Sequence, residues 1–149
     1  LLQEAGCYKQ AAFEIFASDI NQQVLAKARK GTYRENAFRA TTPALREKYF
    51  THEADNSWRV NDEIRNLVSF GRLNLYDEAR VSLLGHLDVV FCRNVIIYFD
   101  DASKRVVVTN FYNRLSEGGY LLLGHSESLI SLSTQFKLRH LKNDMVYQK

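Results

Sequence analysis

Proline is nearly absent from this chain, at 1 in 149 residues, and there are only two cysteines. Cys7 and Cys92 cannot build a disulfide framework, and neither stands in a Cys-x-x-Cys or Cys/His cluster. That pattern argues against zinc fingers and disulfide-stapled scaffolds. His52, His86, His125 and His140 lie far apart without metal-ligand spacing, so no metal is expected. Apolar runs are short, as in Val95-Ile96-Ile97-Tyr98-Phe99, against the roughly 20 residues that span a bilayer. Residues 1–6 show neither a basic segment nor an apolar signal core. The chain contains no internal repeat, low-complexity tract or linker. These absences leave a cytoplasmic globular protein without membrane insertion as the expectation.

What is present fits that reading. Hydrophobic residues make up 46% and charged residues 25%, the balance of a folded domain rather than a disordered one. A net charge of +3 is too small to imply nucleic acid as a partner. The basic residues do cluster: Lys27, Arg29, Lys30, Arg34, Arg39, Arg46 and Lys48 stand against only Glu35 and Glu47 in the same stretch. The cluster reads either as a solvated face or as a docking surface for an acidic partner.

Short apolar runs alternate with helix-period segments, which predicts βαβ units and a mainly parallel sheet. Residues 13–17 (FEIFA) read as a strand with Asp19 just beyond it. Residues 21–30 read as a helix stopped by Gly31, with Ile20, Val24 and Ala28 on one face. A second helix is predicted over residues 43–50, with Thr42 as cap and Pro43 at its first position. Residues 58–70 have room for one or two short strands. Residues 87–92 (LDVVFC) and 120–123 read as buried strands, with a helix over 101–115 between them. That helix carries the stripe Val107, Phe111, Leu115, a cap at Asp100 or Asp101, and a stop at Gly118-Gly119. Residues 136–140 and 145–147 read as a closing antiparallel pair. The stretch 32–66 is far longer than the roughly 2–6 residues of an ordinary αβ loop and reads as a small insertion within one domain spanning 1–149.

In open α/β sheets ligands bind beyond the carboxyl ends of the strands. That rule selects Asp19, Asn74 with Leu75, Arg93 with Asn94, and the turn from Gly124 to Glu127. A carboxylate at a strand end can accept two hydrogen bonds from a ribose diol, and Asp19 is equally placed to cap the helix that follows. Asn74 serves as well for a turn, and Arg93 for an ion pair. Gly124-His125-Ser126-Glu127-Ser128 partly resembles a nucleophile elbow, but the closing glycine is missing. From the residues alone, an adenosine-type ligand leaves a nicotinamide-dependent oxidoreductase open beside a transferase.

Taken together, the segments resemble a known family. Ala17-Ser18-Asp19-Ile20-Asn21, followed by Val24-Leu25-Ala26-Lys27-Ala28-Arg29-Lys30-Gly31-Thr32-Tyr33, resembles the "ASDID…VL.KAR.G.Y" segment of CheR-type chemotaxis receptor methyltransferases. Phe91-Cys92-Arg93-Asn94-Val95-Ile96-Ile97-Tyr98-Phe99-Asp100 resembles that family's "FCRNVxIYFD" segment, and residues 115–127 resemble its "L.pgGyLllGHSE" stretch. The resemblance implies a doubly wound, Rossmann-like α/β sheet with strand order 3-2-1-4-5-7-6 and a small inserted β-subdomain. It implies transfer of a methyl group from S-adenosylmethionine to glutamate side chains on the cytoplasmic helices of methyl-accepting chemoreceptors. By the same resemblance Asp19 binds the ribose, Asn74 and Leu75 flank the adenine, Arg93 and Asn94 lie near the cofactor and reaction centre, and Tyr98 stands close to methyl transfer.

Three departures shape the expectations. The family's first strand and its "GCSTGEE"-type cofactor loop have no counterpart before Phe13, and residues 1–9 read as the end of the helix after that loop. The chain alone is therefore expected to bind S-adenosylmethionine weakly, and an inactive partner-binding remnant is the alternative function. Asn21 replaces an acid common in the family. Residues 51–58 lack the glycine-rich loop of members that grip a receptor tail peptide, and they carry Glu53 and Asp55. No dependence on such a tethering peptide is expected.

Overall fold

The computed structural model describes residues 4–6, 13–142 and 144–149. They fall into two compact units, Leu1–Arg72 and Leu73–Lys149, each described in its own frame. The helix expected over residues 1–9 and Cys7 lie mostly outside the described residues.

In the first unit, β1 (Ile15–Asp19) and β5 (Val68–Arg72) pair in parallel, with Asp19 opposite Arg72. The strand runs two residues later than the FEIFA pattern predicts, so Asp19 is its last residue. Helix α1 (Gln22–Lys30) follows, capped by Asn21, whose Oδ1 accepts from the N–H of Gln23 at 2.8 Å and Val24 at 3.4 Å. Asp19 is not the cap: its Oδ1 accepts the Asn21 N–H at 2.7 Å and closes the turn ahead of it. Gly31, in the left-handed region at φ 65°, stops the helix as expected. The residue α1 buries is Leu25, whereas Ile20 and Val24 remain exposed.

The first turn of α1 holds no acidic residue, and the Asn21 side chain accepts its leading N–H groups, with the Asp19 carboxylate bonded to the Asn21 N–H just ahead. Asn21→Ala is expected to cost about 1 kcal/mol, while Asn21→Asp should match or slightly exceed the wild type. Urea denaturation reads both, and an unchanged midpoint for the alanine variant would contradict the capping role.

The stretch before β5 holds β2 (Thr32–Arg34), a 3-10 turn (Glu35–Phe38), α2 (Pro43–Tyr49), β3 (Phe50–His52), β4 (Ser57–Val60) and α3 (Asp62–Arg65). The strands form an antiparallel sheet in the order β2-β4-β3. Phe38 is buried there, edge-on to Phe50 and Trp58. The Arg46 guanidinium lies 4.4 Å from the centre of the Trp58 ring and pairs with Glu35. Arg29 donates to the Phe70 carbonyl at 2.9 Å, and Lys48 pairs with Glu4 at 2.7 Å. Three members of the basic cluster are thus bonded within the unit: Arg46 is partly buried, while Arg29 and Lys48 remain exposed.

The second unit contains α4 (Glu78–Ser82), β6 (Leu87–Cys92), α5 (Asp101–Arg114), β7 (Leu115–Leu123), β8 (Lys137–His140) and β9 (Met145–Gln148). Its sheet runs β6-β7-β9-β8, with β6 and β7 parallel and the closing β8–β9 hairpin antiparallel. In the family's numbering the two units carry 3-2 and 4-5-7-6, matching the expected order within each. The core gathers on the α5 stripe: Val107, Phe111 and Leu115 are buried with Val108, Ile96, Leu121 and Leu129. Asp100 caps α5 by accepting the Ser103 N–H at 2.7 Å.

Two expectations change here. Gly118-Gly119 does not stop α5, which ends at Arg114 as the chain turns extended at Leu115. The glycines lie inside β7, where its register with β6 slips between Leu87 and Val89. A Cβ on Gly119 would stand 2.9 Å from the Ser116 carbonyl and 3.1 Å from that of Asp88, so the position serves close strand approach. The second change concerns β6, which is buried on one face only. Cys92 is enclosed, whereas Val89 and Phe91 are exposed. Side chains alternate across a strand, and among the described residues β6 has one neighbouring strand, β7. Among the described residues no helix is long and apolar enough to cross a membrane.

Candidate functional site

The parallel register of β6 and β7 sets Cys92 opposite Leu123, so the turns leaving the two carboxyl ends lie side by side. Between them stands Glu127, a carboxylate only 8% exposed. Its Oε2 accepts the N–H of Gly124 and of Asn94, both at 2.7 Å. Its Oε1 accepts the N–H of Val95 at 2.9 Å and of Ile97 at 3.3 Å. The Glu127 N–H in turn donates to the Gly124 carbonyl at 2.9 Å. Burial pushes this carboxyl up, but the N–H groups of Gly124, Asn94, Val95 and Ile97 outweigh it and hold the group below the usual carboxylate range.

That cradle leaves little freedom to its neighbours. Asn94 takes a left-handed conformation at φ 60°, which asparagine tolerates better than most residues. A Cβ on Gly124 would fall 2.8 Å from Glu127 Oε2 and 3.1 Å from the Asn94 nitrogen. Arg93, at the head of the same turn, points Nη2 at His125 Nδ1, 3.3 Å away. The turn continues into a short 3-10 segment, Ile96–Tyr98, which anchors itself through buried Ile96 and leaves the Tyr98 side chain exposed. Arg93, Asn94 and Tyr98 are therefore presented by one turn, tied by one carboxylate to the next.

This geometry removes two other chemistries. Ser126 is exposed, and the backbone donors an oxyanion hole would need at Gly124, Asn94 and Val95 are already bonded to Glu127. Burial pushes the Cys92 thiol up to about 12, with the Glu127 charge adding to it, so Cys92 is no nucleophile at neutral pH. Among the described residues no cluster of His, Cys, Asp or Glu has the arrangement of a metal site.

Asn74 folds over its own turn, its Oδ1 accepting the Tyr76 N–H at 3.1 Å. The Leu75 carbonyl accepts from Asn110 Nδ2 at 3.0 Å, and the Leu75 side chain packs on the α5 core. Asp19 belongs to the first unit, at the carboxyl end of a parallel strand. One of its oxygens is used by Asn21, and Oδ2 has no hydrogen-bond partner among the described residues. A carboxylate so placed fits a ribose diol.

Sequence reasoning missed two residues. Glu127 falls within the turn that the strand-end rule selects but carries no role of its own there, although an acid three residues after the glycine that follows a strand is a usable signal of a closed turn. Asn110, buried in the middle of α5, bonds a carbonyl 35 residues away, and no local pattern marks it.

Residues 1–145 match the family model described as CheR methyltransferase, SAM binding domain. The chain belongs to the CheR methyltransferase family. It is 40% identical over its whole length to "Chemotaxis protein methyltransferase 2" of Vibrio cholerae, covering 52% of that protein. It is 38% identical over 130 residues to the chemotaxis protein methyltransferase of Escherichia coli, covering 85% of this chain and 45% of that one. The chain thus spans about half the length of the curated relatives it matches. The matched domain is described as an S-adenosylmethionine-binding one, which sets the nicotinamide reading aside. An O-methyltransferase family protein from Burkholderia thailandensis aligns with a TM-score of 0.44 and 16% identity over 58% of this chain and 37% of its own, too slight a likeness to argue from.

Proposed function

We propose that the intact protein transfers methyl groups from S-adenosylmethionine to glutamate side-chain carboxylates on the cytoplasmic helices of chemoreceptors. The observation that carries this reading is the family match across residues 1–145, with the turn of Arg93 and Asn94 built together with the turn that ends in Glu127. When bound, S-adenosylmethionine supplies an electrophilic methyl group on a positively charged sulfur. A glutamate acceptor is already ionised near neutral pH, so the protein needs no general base. The work left to its residues is holding, orienting and excluding water. In this reading Asp19 accepts hydrogen bonds from the ribose, and Asn74 with Leu75 frames the adenine. Arg93 and Tyr98 orient the acceptor carboxylate, and Asn94 shapes the wall beside them.

A receptor tail peptide has no evident place in this scheme. The β3–β4 corner is closed by its own bonds: Glu53 donates its N–H to the Ser57 carbonyl at 2.8 Å, and its carboxylate pairs with Arg59 at 3.1 Å. Asn56 supplies the left-handed turn residue at φ 62°, where the expected glycines are lacking. The test is to compare methyl incorporation into a receptor cytoplasmic domain with and without its C-terminal tail. Incorporation at glutamates, with initial rates agreeing within about twofold, is expected; a tether raises effective concentration enough that its loss would show as about tenfold or more. A tenfold loss, or methylation at residues other than glutamate, overturns the reading. Trp58→Ala is unsuitable here, because Trp58 packs against His52, Phe38 and Arg46 and its loss disturbs the whole small sheet.

A further inference from the structure

We propose that Glu127 is a positioning residue for methyl transfer: its carboxylate sets the backbone path that presents Arg93, Asn94 and Tyr98. The inference deepens the function proposed above and rests on it. Local backbone bonds in the turn after β6 close only its second half, Tyr98 to the Val95 carbonyl at 3.3 Å and Phe99 to that of Ile96 at 3.1 Å. Three of its N–H groups, those of Asn94, Val95 and Ile97, point to one side chain 33, 32 and 30 residues ahead in the chain. Each oxygen of that side chain takes two donors, so the four bonds together fix the carboxylate in place and in plane. The fourth donor, Gly124, belongs to the turn that carries His125, and His125 meets Arg93. Glu127 therefore joins the two turns through their backbone N–H groups, and Arg93 and His125 join them through side chains.

An acceptor-only group suits this place in a way an amide does not. A glutamine of the same shape offers one oxygen and one NH2, so two of the four backbone donors would face another donor. The turn must then shift, and the groups at its surface shift with it. A displacement of about 1 Å at a methyl-transfer site is enough to lower the rate by around a hundredfold.

The experiment compares Glu127→Gln, Glu127→Asp and Glu117→Gln with the wild type in the intact protein. Readouts are kcat and KM for a receptor cytoplasmic domain, S-adenosylmethionine affinity by calorimetry, and backbone amide NMR. For folded Glu127→Gln, kcat is expected to fall about 10- to 100-fold with KM for the receptor changed less than about threefold. Glu127→Asp, whose shorter arm keeps the charge, should recover part of the loss, and Glu117→Gln, at an exposed acid outside the candidate site, should behave as wild type. A purely stabilising role predicts lower thermal stability with an unchanged kcat per folded molecule, and that result overturns the proposal. If the wild type transfers no methyl group, the functional reading fails. The positioning role is then judged by the amides of Asn94, Val95 and Ile97 and the Arg93 guanidinium, which must move in Glu127→Gln; unmoved signals overturn it. Should the glutamine variant not fold, acid titration of the wild type decides. The Gly124, Asn94, Val95 and Ile97 amides and the Arg93 signals should change with one midpoint, and an Arg93 signal that does not follow refutes the proposal.

Discussion

Glu127→Ala is expected to lower the unfolding free energy by about 3 kcal/mol, measured by urea denaturation at neutral pH. Truncation strands the N–H groups of Gly124, Asn94, Val95 and Ile97, which now bond the carboxylate. Each buried donor left unpaired costs roughly 1–3 kcal/mol, and the total is well below four times that because the turns lie near the surface and water can enter. The effect has a pH signature. The Glu127 carboxyl in the folded protein is held below its ordinary range, the four N–H groups outweighing burial. The unfolded chain therefore takes up the proton first as pH falls. Stabilisation from this group is fully present above the unfolded-state value of roughly 4.3, and it is lost as pH drops through the lower folded value. The gap between wild type and alanine variant should be constant from pH 8 to about pH 5.5 and shrink below it. A gap that stays the same at acid pH would mean that charge has no part in the interaction.

The second large effect is on binding. Asp19→Ala in the intact protein should weaken S-adenosylmethionine by roughly 1.5–3 kcal/mol, on the order of 10- to 100-fold in Kd. The carboxylate ends a parallel strand and commits one oxygen to the Asn21 N–H. Asp19→Asn separates the two uses of the side chain. It keeps an acceptor for the Asn21 N–H, so α1 should start normally, but it lacks the second anionic oxygen. Calorimetry should show both variants losing affinity, the alanine more than the asparagine, with little change in thermal stability for the asparagine. Wild-type affinity in Asp19→Ala would reduce Asp19 to a turn-closing residue.

Much of this molecule is legible locally. The stop of α1 at Gly31, the cap of α5 at Asp100, the β6 strand and the β8–β9 hairpin all depend on residues within a few positions of one another. Short-range sterics and backbone bonding decide such features, so a reader of the chain can find them. The apolar stripe of α5 is legible for the same reason, since its 3.6-residue period is written along one helix. The family, too, is carried by contiguous motifs.

The errors share a different cause. Gly118-Gly119 is a sound helix stop by composition, yet the pair serves the close approach of β6 to β7, which only the packed strands impose. Phe91 and Val89 belong to a run that reads as buried, but alternate faces of β6 meet different surroundings. Arg46, on helix α2, looks like one more surface cation until Trp58, twelve positions away on the middle strand of the small sheet, comes to lie against it. Glu127 is the clearest case. Its four donors lie 3, 30, 32 and 33 residues away, and they converge because the parallel register places Cys92 beside Leu123. A side chain's spacing reveals only what neighbours in the chain can reach. Which distant backbone N–H groups a carboxylate will find is decided when the strands align, and that alignment is a property of the folded sheet.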